Sequence, residues 1–142
     1  MTKYEELVDL ICESEILYIS TNSSRIPAQS IRTDREYGIL FNETAYATTA
    51  ERRIALAHEK AHCDTGSLHS VHAPLITVAQ CEQRAWRKTV SDLIPFDEMK
   101  EVFNACIYAD GLDIYEFAEK LEVTPKFAKM AIEYYHSTGK RW

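Results

Sequence analysis

Five consecutive residues, His58-Glu59-Lys60-Ala61-His62, carry the groups needed to activate water at a metal ion. They close a stretch from Thr49 to His62 whose composition reads as helix. At 3.6 residues per turn, His58 and His62 fall on one face a turn apart, where both imidazoles reach a single ion. Glu59 lies beside them, and its carboxylate can take the proton of a water that the metal has made acidic. An HExxH pentad of this kind has the parts of a zinc site that cleaves peptides at neutral pH.

Two histidines leave such a site incomplete, since catalytic zinc takes three protein ligands and keeps one position open. The downstream candidates are Asp64, His69, His72 and Glu82. Asp64 is too close to His62 to reach round. A metzincin pattern needs glycine at 65 and histidine at 68, where this chain has Thr65 and Leu68. Glu82 stands twenty residues after His62 on the next predicted helix and completes a His-His-Glu set of the thermolysin type. That placement favours it over His69 and His72, which lie in a loop that would have to fold back; both read as loop surface, with substrate contact as the alternative. Ile54, His58 and His62 share a helical row with Ala55 and Ala61 nearby, so the histidines sit on a half-buried face and need partners. A shared metal satisfies both. Tyr46, His69 and His72 are candidates for stabilising an oxyanion, and none is assigned.

The elements that must position these groups are legible as periodicities. Residues 3–13 form an amphipathic helix through Tyr4, Leu7, Val8 and Ile11. Ile16-Leu17-Tyr18-Ile19 predicts a strand and Asn22-Ser23-Ser24 a turn; Arg35 to Phe41 predicts a second strand, with Ile31 and Arg32 in a third. Thr48, Thr49 and Glu51 start the helix of the pentad and Gly66 stops it. Ser67 to Ile76, which contains Pro74, reads as loop overhanging the site. Helix resumes over 77–94, followed by Phe96–Tyr108 ending near Asp110-Gly111. A closing pair, Ile114–Leu121 and Thr124–His136, has Thr124 as N-cap and Pro125 at the first helical position, in the manner of a helix-turn-helix. The expected class is α+β: a mainly helical, zincin-like domain with a small N-terminal β-sheet and a C-terminal helical pair. One domain over 1–142 is expected, with the sheet and metal-site helices in 1–112 and the pair, 113–142, packed on it.

Composition narrows the classes. The chain has 142 residues, enough for a core without staples, and no apolar run approaches the length of a membrane helix. The acidic, amphipathic start is no secretory signal, so a cytoplasmic location is expected. Cys12, Cys63, Cys81 and Cys106 form no CxxC pair and are expected to be reduced and buried; Cys63 and Cys81, although close to the proposed ligands, fit no zinc spacing. The net charge of −6 argues against a general nucleic-acid binder. From Asp97 to Glu122, eight acids face Lys100 and Lys120, a solvated helix face or a surface for a basic partner. From Thr124 to Trp142 the balance is +3, and Val123, Phe127, Met130, Ala131 and Tyr134 look like core positions, which favours a packing or protein-docking module over a DNA reader.

The run His58 to Ser67, followed by Glu82-Gln83-Arg84-Ala85-Trp86 and Leu93-Ile94-Pro95, resembles the ImmA/IrrE zinc metallo-endopeptidases, especially the short versions carried by prophages and mobile elements. The resemblance covers most of the chain, including Tyr37-Gly38-Ile39 and the closing helical pair. It implies Zn2+ held by His58, His62 and Glu82, Glu59 as general base, and a helix-turn-helix repressor of a prophage or mobile element as the protein cleaved or inactivated. Where relatives commonly continue Ala-Asp-x-Trp-Ala, this chain has Ala85-Trp86-Arg87-Lys88-Thr89, without the acid that would support a ligand. The competing expectation is a non-catalytic zinc-containing regulator, or a toxin–antitoxin component, that acts by binding a repressor or DNA.

Overall fold

The computed structural model describes residues 1–23 and 25–140. Ser24, the end of the expected turn, and Arg141 of the basic C-terminal run lie outside the described residues. The architecture is α+β and mainly helical. In order come α1 (Lys3–Glu13), β1 (Leu17–Ser20), β2 (Ala28–Arg32), β3 (Tyr37–Phe41), a 3-10 turn (Glu43–Ala45), α2 (Thr49–Thr65), α3 (Leu75–Leu93), α4 (Phe96–Cys106), β4 (Ile107–Tyr108), β5 (Gly111–Leu112), α5 (Ile114–Lys120) and α6 (Pro125–Ser137). Two compact units are defined, Met1–Thr89 and Val90–Trp142. Among the described residues, no helix is long and apolar enough to cross a membrane.

In the first unit, α1 begins with a capping box: the Thr2 side chain accepts from the Glu5 N–H, and the Glu5 carboxylate accepts from the Thr2 N–H. The sheet has the order β1-β3-β2, with β1 parallel and β2 antiparallel to β3. Ile39 and Phe41 on β3 join Tyr4 and Ile11 from α1 and Leu56 and Cys63 from α2 in one buried cluster. Phe41 stacks on Tyr46 at 5.3 Å between ring centres. Burying these side chains supplies about 1.5–3 kcal/mol each, which is what fixes α2 against the sheet.

The register decides what β2 shows to its other side. The Thr33 N–H donates to Glu36 O and the Asn42 N–H to Pro27 O, both at 2.8 Å. With Ser30 opposite Ile39, the two-residue alternation of an antiparallel ladder gives residues 27, 29, 31 and 33 the bonds to β3. The backbone groups of Ala28, Ser30 and Arg32 therefore face the edge, which carries no further strand among the described residues.

In the second unit, Met99, Cys106, Phe117, Ala118, Leu121, Val123, Phe127, Ala128, Ala131 and Tyr135 are buried. Phe103 meets Phe117 edge-on, Phe96 meets Tyr135 edge-on, and the Tyr135 hydroxyl donates to Ile94 O. Thr124 caps α6 through the Phe127 N–H, with Pro125 in its first turn, as expected.

Four expectations need correction. β2 begins at Ala28, three residues before the two that were expected. The loop after α2 is shorter, because Leu75 and Ile76 already belong to α3, which follows directly on Pro74. α4 stops at Cys106, since β-prone Ile107 and Tyr108 pair with Gly111 and Leu112 around an Ala109-Asp110 turn, with Gly111 at φ 117°. Cys12 is exposed and Cys81 half-buried rather than buried; all four thiols are free, with Cys63 and Cys106 buried.

Candidate metal centre

α2 is built to end at the site. Thr48 caps its start by accepting from the Glu51 N–H, and the Glu51 carboxylate accepts from the Ala47 N–H. Its end is a left-handed turn at Gly66, φ 64°, whose N–H donates to Cys63 O while the Ser67 N–H donates to His62 O. That turn brings the buried Ser67 carbonyl to 2.9 Å from His62 Nδ1. A carbonyl only accepts, so Nδ1 carries the proton and Nε2 of a neutral His62 presents a lone pair.

That nitrogen faces Glu82. His62 Nε2 lies 3.0 Å from Glu82 Oε1, His58 Nε2 lies 3.0 Å from Glu82 Oε2, and the two Nε2 atoms are 3.2 Å apart. Among the described residues, His58, His62 and Glu82 form a group that could hold a metal ion. Its dimensions are close to those of one: bonds of about 2.0–2.2 Å in a tetrahedral site place neighbouring ligand atoms about 3.3–3.6 Å apart. The donor set also fits, because a carboxylate and two imidazole nitrogens brought this close need shared protons or a cation between them. Burial, and next His62, pull the His58 pKa below its ordinary value, against the opposite effect of Glu82 and Glu59. The neutral, ligating form is thereby favoured.

Glu59 shares the cavity with this group. Ser30 on β2 donates from Oγ to Glu59 Oε2 at 2.5 Å, and the same hydroxyl lies 2.9 Å from Glu59 O. A cavity of about 220 Å³ is lined by Ala28, Ser30, Glu59, His62, Leu68, His69, Val71 and Glu82, together with Gln29. One wall is thus the β2 edge, and the other is the loop leading into α3.

The remaining candidates fall elsewhere. Asp64 pairs with Lys60 on α2. His69 lines the cavity but stands outside the three-residue group, its Nδ1 3.2 Å from Ser70 O; His72 is exposed and lines no part of the cavity. Cys63 Sγ faces Gly38 O and Cys81 Sγ faces Leu68 O. Tyr46 has its pKa raised by burial first and by the charge of Glu59 second, which puts it in the electrostatic neighbourhood of the carboxylate.

Three contributors went unassigned in the sequence. Ser30 lies 29 residues from Glu59 and has no local signal. Ser67 acts through its carbonyl, which any residue supplies, although Gly66 marks the turn that aims it. Trp86 follows Glu82 by one helical turn and stacks on His58, ring centres 3.9 Å apart at 22°. His58 Nδ1 is buried and, among the described residues, has no hydrogen-bond partner. Apart from their contacts with Glu82, His58 is thus held by stacking on Trp86 and His62 by its hydrogen bond to Ser67 O. Comparison with family models, curated proteins and solved structures returns no match.

Proposed function

We propose that this protein is a zinc-dependent endopeptidase of zincin-like arrangement that cleaves a helix-turn-helix repressor of a prophage or mobile element. The observation that carries the reading is the convergence of His58 Nε2, His62 Nε2 and the Glu82 carboxylate within 3.0–3.2 Å of one another, with Glu59 in the same cavity. A zinc ion bound there supplies Lewis acidity, which makes a water acidic and polarises a carbonyl oxygen. Glu59 accepts the proton of the attacking water and returns it to the departing amine. Ser30 keeps that carboxylate in place through its hydroxyl. The edge of β2 offers the backbone groups of Ala28 and Ser30 to an extended chain, which supports a peptide as the substrate. The choice of repressor rests on the ImmA/IrrE resemblance.

The test is the purified, zinc-loaded protein with a repressor encoded beside it, compared with its Glu59→Gln variant. Cleavage should disappear in the variant while zinc stays bound. If Glu59→Gln still relieves repression in cells, the protein acts by binding and the endopeptidase reading falls.

A further inference from the structure

We infer that Leu68, Val71 and Leu75 form a specificity subsite that takes a bulky apolar side chain of the bound peptide. This rests on the reading of the site as one that handles peptides. Leu68 and Val71 line the same cavity as Glu59, His62 and Glu82. Leu75 is seven residues before Glu82 on α3, so it lies on the same helical face about 10 Å along the axis. The stripe Leu75, Val78 and Ala79, Glu82, Trp86 is therefore one row: its far end stacks on His58, its middle supplies the carboxylate, and its near end is aliphatic.

Scattered apolar residues on a surface mean little; large ones gathered at the mouth of a cavity mark a binding surface. Val71, which lines the cavity, is 93% exposed, and Leu75 at 88% and Ile76 at 69% follow it within a single six-residue segment. The occupant follows from the opposite wall. A chain paired along the β2 edge sends alternate side chains to either face of the sheet. One of those faces carries Ser30, which points at Glu59 on α2. A side chain on that face enters beside the metal group and meets Leu68 and Val71, where His69 is the one polar side chain of the loop in the lining. An aliphatic or aromatic group gains from this contact; a charged one loses hydration without compensation.

The experiment measures binding and cutting separately, on zinc-loaded full-length protein. Fluorescent peptides identical except for Ala, Asp, Leu or Phe at one position, scanned along the peptide, are bound to the Glu59→Gln variant and digested by wild type. Val71→Ser with Leu75→Ser is then added to each, a change the fold tolerates because both side chains are almost wholly exposed. The expected result is a preference for Leu or Phe at one position, with affinity for those peptides reduced about tenfold or more by the double substitution, and zinc content unchanged. Binding that shows the preference and loses it in the double variant, without any cutting, keeps the subsite and removes the peptidase reading. Cutting that depends on Glu59 but ignores the varied residue, or is unaltered by the double variant, overturns the subsite and leaves the peptidase. The subsite is also overturned if no peptide binds, or if the double variant abolishes only self-association, which would assign the ledge to a second copy.

Discussion

At the scale of single residues, the site divides into atoms that would hold the ion and atoms that hold those atoms. Glu82 is the hinge of the first group, since each of its oxygens faces one histidine at 3.0 Å. Replacing it leaves two nitrogens, too few for a catalytic zinc site. Glu82→Ala is accordingly expected to lose nearly all bound zinc in dialysed protein, read by elemental analysis, while Glu59→Gln retains it; equal zinc in wild type and Glu82→Ala would sink the assignment. Ser30 belongs to the second group. A hydrogen bond to a charged acceptor contributes about 1.5 kcal/mol or more, so Ser30→Ala should lower unfolding stability by about that much in urea titrations. Peptide turnover should fall more than KM changes, with Ser30→Thr recovering part of both. Of these residues, the pentad and Glu82 were legible because their chemistry is local or carried by helical spacing. Ser30 was not, since only the pairing of β2 with β3 brings it to Glu59.

At the scale of elements, the end of α2 is a device for aiming His62. Gly66 adopts φ 64°, a conformation that costs a residue with a Cβ about 1–2 kcal/mol. Among the described residues, a methyl group there meets only the Tyr37 hydroxyl at 3.5 Å, so the cost is backbone strain and not a clash. Gly66→Ala should therefore destabilise the protein by about 1–2 kcal/mol and weaken zinc binding, because the turn also delivers the Ser67 carbonyl to His62 Nδ1. Gly66→Asn should do less harm, as asparagine tolerates the left-handed region. Unchanged zinc affinity in a folded Gly66→Ala protein would show that Ser67 does not orient the ligand. Gly66 as a stop signal was readable in the sequence; that the stop also builds a hydrogen bond for the histidine four residues earlier was not. The same limit applies to β4 and β5: Ile107 and Tyr108 continue the apolar period of α4, and only their pairing with Gly111 and Leu112 shows them to be strand.

At the scale of the molecule, the two compact units carry different burdens. Every residue of the metal group, with Glu59, Ser30, Ser67 and Trp86, lies in Met1–Thr89. The same unit contains an unreactive thiol close by: burial pushes Cys63 up to about 11, so at pH 8 it stays protonated and hidden. Native protein should titrate Cys12 rapidly with a thiol reagent and Cys63 only after unfolding; a fast-reacting Cys63 would contradict the packing of α2 on the sheet. Zinc itself gives the final test, since a ligand bound only by the folded state stabilises it according to its excess over Kd, about 2.7 kcal/mol at a hundredfold excess. The ion would tie α2 to α3, two elements joined by a loop whose Val71 is almost wholly exposed. Hydrogen exchange should therefore slow on zinc addition in Thr49–Thr65 and in the part of α3 around Glu82, and reverse with a chelator. Helices α5 and α6 hold none of the ligands, and their exchange should change far less. Protection that rose evenly through both units, or that persisted in Glu82→Ala, would mean that zinc binds outside the His58–His62–Glu82 group.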